Sequence, residues 1–420
     1  MTVNVPASTS LVLRPRGVFL DPPGAVVADC AVVVEGRRIT FVGAPDEAAR
    51  LAPTAATVDL ADATLLPGLI NTHVHLSFTG SRDPRTDFHA DQPETRLARA
   101  IHHGQVMLRS GVTTVRDCGS DWSLLALQQI SDTGLFTLPN LMLCGPPITP
   151  TGGHLHQMGG EADGHEEIRK LVRQLHKRGA TSIKVMATGG QMTPGTLPEK
   201  PAFSLEELRA AVSTAAEYDH PTVAHVLASE GMRLAALAGF DSLEHCAFFA
   251  RAANGLLQRC YEQGIADEIV RSRASAMIGV SAGYHTFDEY RTATDVPARE
   301  AFLLEQEGRM FHIVERFVEL GIPIVCGTDA GVRDTHFDET WLELELLVDR
   351  ARLSPLQALR TATVNAAGAL RLDGVTGRVA ADLRADLIAV RADPLDDITV
   401  LRDVRWVMRA GEIVVDGEAR

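Results

Sequence analysis

The chain has 420 residues, 45% of them hydrophobic, the make-up of a soluble protein with a large core in one large domain and an appended smaller one. A formal net charge of −14 excludes non-specific nucleic-acid binding, because no basic surplus exists to neutralise phosphates. The first residues lack the basic and apolar regions of a secretory leader, and no apolar run reaches membrane-spanning length. The six cysteines (Cys30, Cys118, Cys144, Cys246, Cys260 and Cys326) form no C-x-x-C pair, so a cytoplasmic protein with reduced thiols is expected.

In chain order, residues 9–60 read as all-β. Ser10–Leu13, Ala31–Glu35 and Ile39–Val42 are short β-favouring runs between turn-forming Pro22-Pro23-Gly24 and Gly36-Arg37-Arg38. From Thr64 to about Leu370 the pattern changes to strand–loop–helix units. Predicted strands are Leu65–His73, Thr113–Cys118, Leu138–Cys144, Ser182–Ala187, Pro221–Val226, Ser242–Cys246, Ser275–Val280 and Pro323–Asp329. Between them, Ile168, Leu171, Val172 and Leu175 recur at helical spacing within His165–Arg178. Leu205, Leu208 and Val212 share a face in Ser204–Tyr218, where Ser204 and Glu207 have the form of a capping box. Eight such units predict an α/β fold with a (β/α)₈ TIM-like barrel, the alternative being an open doubly wound sheet. Ala385–Val390, Val404–Arg409 and Ile413–Asp416 return to β texture. The expected organisation is therefore a barrel over residues 64–370 beside a small β-sandwich domain built from residues 1–63 and 371–420.

Chemistry-bearing residues fall at the ends of the predicted strands. His73 and His75 are separated by one residue in Leu65–Ser77 (LLPGLINTHVHLS), so on a strand both imidazoles project to one side, half of a site for zinc or a similar divalent ion. Lys184 lies inside the fourth predicted strand, where burial and nearby metal charge would favour its neutral amine. Such an amine can take up carbon dioxide as a carbamate whose two oxygens bridge two metal ions. His225 and His245 end the fifth and sixth strands. Asp329 ends the eighth, a costly place for an unpaired carboxylate. Barrel active sites sit at this rim, so all six residues are expected to converge there.

The stretches Pro67–Leu76, Gly111–Gly119 (GVTTVRDCG), Thr149–His154 (TPTGGH), Ile183–Gly190 (IKVMATGG), Val223–Val226, Leu243–Cys246, Cys326–Gly331 (CGTDAG) and Ala358–Ala367 together resemble the amidohydrolase superfamily. Within it, the chain is most similar to the Xaa-Pro dipeptidase and carboxypeptidase-like group that includes imidazolonepropionase-like hydrolases and ochratoxin-type amidases. The resemblance implies two divalent ions, usually zinc, one held by His73, His75 and Asp329 and the other by His225 and His245. Carbamylated Lys184 and a hydroxide would bridge them. The implied activity is hydrolysis of an amide in a dipeptide or N-acyl amino acid by the bridging hydroxide, with Asp329 moving the proton. Alternatives are a mononuclear deaminase, a cyclic-amide, carbamate or urea hydrolase, or a non-catalytic scaffold. A small-molecule substrate, no nucleic-acid or membrane partner, and a homo-oligomer are expected.

Substrate contacts are assigned to His154, His156, Tyr284, His285 and His336 in loops at this rim. Gln191 joins them, since it stands where the family carries an aliphatic residue. Arg116 is expected to pair structurally with Asp117. A further departure, Ala381-Asp382-Leu383-Arg384 in place of a Gly-Lys turn, touches the small sheet alone.

Overall fold

The computed structural model describes residues 10–417; residues 1–9 and 418–420, the outermost parts of the two terminal segments, lie outside the described residues. The chain opens with β1 (Ser10–Leu20), β2 (Ala25–Ala28), β3 (Ala31–Glu35), β4 (Arg38–Gly43) and β5 (Ala56–Pro67). The central strands are β6 (Leu69–Val74), β7 (Val112–Asp117), β8 (Asn140–Leu143), β9 (Ile183–Met186), β10 (Thr222–Val226) and β11 (Ser242–His245). A hairpin of β12 (Phe249–Arg251) and β13 (Leu257–Arg259) precedes β14 (Ser275–Met277). The chain closes with β15 (Leu387–Val390), β16 (Val404–Arg409) and β17 (Glu412–Val415).

Both ends of the chain share one sheet, in the order β17-β16-β15-β5-β1-β3-β4 with β2 on β1. Its hydrogen bonds join all eight strands in one sheet, with β2 off the main path, and do not divide into the two sheets of the expected sandwich. Period-two alternation gives it two apolar faces. Leu13, Val32, Leu65, Leu387 and Trp406 pack on one, and Val12 and Val33 on the other, under Ala48 of the helix Pro45–Leu51.

The first barrel strand was expected to run from Leu65 to His73. In the structure Leu65–Pro67 belong to β5 and pair with β15, and the barrel strand β6 starts only after Gly68. That residue marks the changeover because a Cβ on it would lie 2.2 Å from the Thr113 hydroxyl oxygen, so only glycine lets the two strands approach. The small sheet and the barrel are thus joined end to end.

β6, β7 and β8 form one parallel sheet, and β9, β10, β11 and β14 another. Backbone hydrogen bonds cross both seams. On one side Ile148 donates to Lys184 (2.8 Å) and Met186 to Ile148 (2.8 Å). On the other, Thr72 donates to Cys326 (2.8 Å), Asp329 to His73 (2.9 Å) and Val325 to Ala276 (3.0 Å). The arrangement is TIM-barrel-like α/β. The eighth predicted strand is reduced to single bridges at Ile324 and Ala330. Between them the Asn71 carboxamide accepts from the Thr328 amide (3.3 Å) and donates to its hydroxyl (2.9 Å), replacing ladder bonds.

The helices follow the sequence pattern. Gly164–Lys177 buries Ile168, Leu171, Val172 and Leu175, and Leu205–Ala216 starts with both halves of the Ser204–Glu207 capping box. No helix among the described residues is long and apolar enough to cross a membrane. The six cysteines are free thiols, five of them buried.

One helix anchors the rim from behind. Glu343, buried in Thr340–Asp349, accepts from the Val280 amide (3.0 Å), the Ser281 amide (2.7 Å) and the Ser281 hydroxyl (2.6 Å), which fixes the loop leaving β14. Glu343→Gln would turn an amide nitrogen toward one of these backbone N–H groups. A loss of about 1–3 kcal/mol is expected, the penalty of one unpaired buried polar group, measured by urea unfolding; wild-type stability would show that the carboxylate is not the anchor.

Candidate metal centre

Five of the six predicted residues form one chain of contacts at the rim, and the sixth, Lys184, lies inside β9 next to the strand of His225. The His73 and His75 ring centroids are 5.4 Å apart, those of His73 and His245 5.1 Å, and those of His245 and His225 4.8 Å. Asp329 Oδ1 lies 3.4 Å from His73 Nε2 and 3.3 Å from His75 Nε2. Ligand atoms of His73, His245 and Asp329 fall within 4.8 Å of one another.

Local backbone geometry explains the aim of each side chain. In β9, Ile183 and Val185 pack toward the helices, which turns Lys184 to the barrel interior. In β10, Ala224 and Val226 do the same and turn His225 inward. Strict alternation would send His245 outward with Leu243. Its φ of 70° breaks the alternation and brings the ring against His73. Asp329 has φ of 58°. Left-handed backbone at non-glycine residues is strained and persists where the surroundings enforce it, commonly at functional sites.

The donor set fits divalent cations. His75 Nδ1 lies 2.9 Å from the Gly119 carbonyl and His225 Nε2 3.2 Å from the Gly189 carbonyl. Each carbonyl fixes one ring proton and leaves the other nitrogen as a lone-pair donor. Burial lowers the His245 imidazole to about 3 and drives that of His225 well below its usual range, with the Lys184 charge adding to both, so both rings are neutral near pH 7. Burial opposes ionisation of Asp329, but the facing His73 and His75 hold its carboxyl well below the usual range. Lys184 Nζ and Asp329 Oδ1 are among the buried atoms that have no hydrogen-bond partner among the described residues. Buried polar atoms left without a partner in a histidine-rich cluster fit a site for a divalent cation.

The amidohydrolase family model matches residues 64–414. The chain belongs to the amidohydrolase family. It is a hydrolase of amide C–N bonds, in a family that depends on metal ions. It is 28% identical to ochratoxinase of Aspergillus niger, over 93% of this chain and 83% of that protein. It is 27% identical to imidazolonepropionase of Rubrobacter xylanophilus, over 87% of this chain and 86% of that one. The solved structure of a Xaa-Pro dipeptidase with methionine bound in its active site superposes with a TM-score of 0.83 at 26% identity, covering 97% of this chain and 100% of that one.

Of the loop residues expected to meet substrate, His154 is brought against the amidohydrolase cluster, its ring 4.8 Å from that of His225. Thr193 Oγ1 engages its Nδ1 at 3.0 Å, and a Cβ on Gly190 would meet the imidazole at 2.3 Å, so the ring rests directly on that glycine. His156 faces Glu161 at 4.0 Å, and Gln191 and His336 are exposed. His285 is held between Asp288 and Glu339, both at 2.9 Å, and the Tyr284 ring lies under the Arg291 guanidinium.

Arg116 does not pair with Asp117. Neighbours on a strand face opposite ways. Arg116 points into the barrel, 3.1 Å from Glu244, whereas Asp117 accepts from the Leu76 (2.7 Å) and Gly119 (3.1 Å) amides. Glu244, which sequence reasoning passed over, is fully buried and touches His73 Nδ1 at 2.5 Å. Burial opposes its ionisation, but Arg116 and His73 bring its carboxyl down to about 2. Its signal was present: a carboxylate one residue before His245, inside a predicted barrel strand.

The depressed histidines make the metal-free protein acid-sensitive. Burial lowers His154 to about 3 against an ordinary 6.5. Between these values the unfolded chain binds more protons, so stability is full above about pH 6.5 and is lost as pH falls toward 3, by up to about 1.4 kcal/mol per pH unit for each such histidine. His154→Gln should flatten the slope of unfolding free energy between pH 7.5 and 5 by up to one proton, measured with urea. An unchanged slope would mean that His154 is not a buried neutral base.

Proposed function

We propose that this amidohydrolase is a binuclear enzyme that cleaves the amide of a small dipeptide or N-acyl amino acid, in the manner of a dipeptidase or carboxypeptidase. His73, His75 and Asp329 would hold one divalent ion, zinc being the best match to the nitrogen-rich donor set, and His225 and His245 the other. Lys184, carbamylated, would serve as the shared anion. The observation that carries the reading is Lys184 Nζ, buried beside the histidine cluster and without a hydrogen-bond partner among the described residues. A buried ammonium there would be expensive, whereas an anionic carbamate suits a cationic centre. The likeness to proteins named ochratoxinase and Xaa-Pro dipeptidase supports the substrate class. A mononuclear deaminase would leave Lys184 without a role.

When bound, divalent ions supply Lewis acidity to the substrate carbonyl and bring the pKa of water toward neutrality. The chain's own groups do the rest. Asp329, ionised and strained into position, takes up a proton at its free oxygen and releases it to the leaving amine. His154, with Nδ1 engaged by Thr193, presents Nε2 to the substrate carbonyl or carboxylate. Residues at the rim, among them His156, Gln191, Tyr284, His285 and His336, would shape the acyl and leaving-group pockets.

Purified protein should carry close to two divalent ions per chain, and zinc should restore dipeptide hydrolysis that chelation abolishes. One ion would favour the mononuclear alternative; full activity after verified metal removal would end the reading. His73→Ala and His225→Ala should each lose one ion and most activity with the fold retained. Lys184→Ala should lose metal and turnover, with partial recovery in high acetate or propionate, since a free acid must be ordered where the tethered carbamate is not. Lys184→Arg keeps a positive charge without the carbamate and should be equally inactive. Wild-type turnover in the arginine variant would show that Lys184 acts through its charge.

A further inference from the structure

Behind the cluster lies a hydrogen-bonded relay that the proposed chemistry does not use. Arg116 is anchored by its Nε to the Thr72 carbonyl at 2.8 Å. Its Nη2 reaches Glu244 Oε1 at 3.1 Å, and the Ser242 hydroxyl bonds the same oxygen. The other oxygen, Oε2, meets His73 Nδ1 at 2.5 Å, while His73 Nε2 faces Asp329 on the far side of the ring. Arg116, Ser242, Glu244 and His73 are all at most 1% exposed, so water cannot substitute for any link. His75 and His225 rest on backbone carbonyls, whereas His73 rests on a carboxylate.

The relay has a direction. A guanidinium has donors only, so the group facing it must accept. An ionised carboxylate has acceptors only, so His73 Nδ1 must carry the proton. We propose that Glu244 is a positioning residue that holds a proton on His73 Nδ1, so that Nε2 is the atom left for a metal, and that Arg116 fixes the polarity of the relay. The link to metal affinity rests on the proposed metal centre; the tautomer does not. A carboxylate or carbonyl behind a ligating histidine is a common means of fixing ring orientation and raising ligand basicity. Here the additional element is the buried arginine, which dictates which way the relay runs.

Glu244→Gln makes the inference testable. The amide oxygen must stay with Arg116 Nη2, so the amide nitrogen faces His73 and donates to Nδ1. The ring proton is then forced onto Nε2, the atom that should bind metal. Adding Arg116→Met removes that demand and lets the amide turn over, so the double variant should recover what the single variant lost. In metal-free protein with ¹⁵N-labelled histidine, assigned with His73→Asn, Nδ1 of His73 should carry a proton in wild type, lose it in Glu244→Gln, and carry it again in the double variant. Zinc affinity from chelator competition should fall about 10–100-fold in the single variant and recover in the double. A merely structural role predicts the reverse order, because the double variant perturbs more of the core. An unprotonated Nδ1 in wild type, or a protonated Nδ1 with wild-type zinc affinity in Glu244→Gln, would overturn the inference whatever the variants' stability. If wild type binds no divalent ion, the proposed metal centre fails, and the tautomer result still decides the role of Glu244.

Discussion

Arg116 and Glu244 meet at 3.1 Å inside the barrel with neither side chain exposed, and the ionisable groups at the rim are stacked on that pair. Removing two charges from water costs several kcal/mol each, and only tight mutual pairing offsets it. Removing one partner alone is worth about 3–5 kcal/mol of destabilisation, because the other charge stays buried. The barrel therefore accepts both or neither. With both present, the interior beside His73 is electrically neutral but strongly oriented, while Cys118, Cys144 and Val223 pack as an apolar cluster. Above this floor His225 and His245 are neutral, Asp329 is ionised, and Lys184 Nζ is left without a hydrogen-bond partner among the described residues.

Backbone strain completes the arrangement. A strand can point only every second residue at the barrel axis, and β11 needs both Glu244 and His245 there. Left-handed backbone at His245 resolves the conflict at its last residue. Asp329 uses the same device after a segment that keeps only single bridges to its neighbours. Both residues are held by what surrounds them: Asp329 donates its amide to the His73 carbonyl, and Gly327 leaves room where a Cβ would press within 2.8 Å of His73 Cβ. Outside, the small sheet runs through β5 and Gly68 directly into β6, so the strand carrying His73 is tethered at its base.

The rim loops follow a different logic. The segment after β14 is strapped to the one after Asp329: Gly283 N to Thr335 Oγ1 at 2.8 Å, Thr286 to Asp334 at 2.9 Å, and His285 to Glu339 at 2.9 Å. These contacts satisfy the polar side chains among themselves. His285 and Tyr284 are thereby occupied by protein partners, whereas His154, resting on Gly190, is packed into the cluster itself.

Periodicity and spacing in the sequence determined the alternation of strands and helices, the buried helix faces and the six candidate residues on the barrel strands. Each of these depends on local pattern: a strand has a period of two, a helix of 3.6, and an apolar run ending in a ligand-type residue is visible without partners. Tertiary structure alone decided what depends on distance between segments far apart in the chain. Arg116 found Glu244, 128 residues away, because burial demands a counter-charge and its sequence neighbour Asp117 faces the other way. His245 turned inward through a dihedral that alternation does not encode. The limits of the first and eighth barrel strands were set by a glycine contact and by Asn71 reaching across to Thr328. Side-chain pairing inside a barrel is chosen by the strands that happen to adjoin, and no residue's own neighbours in sequence carry that choice.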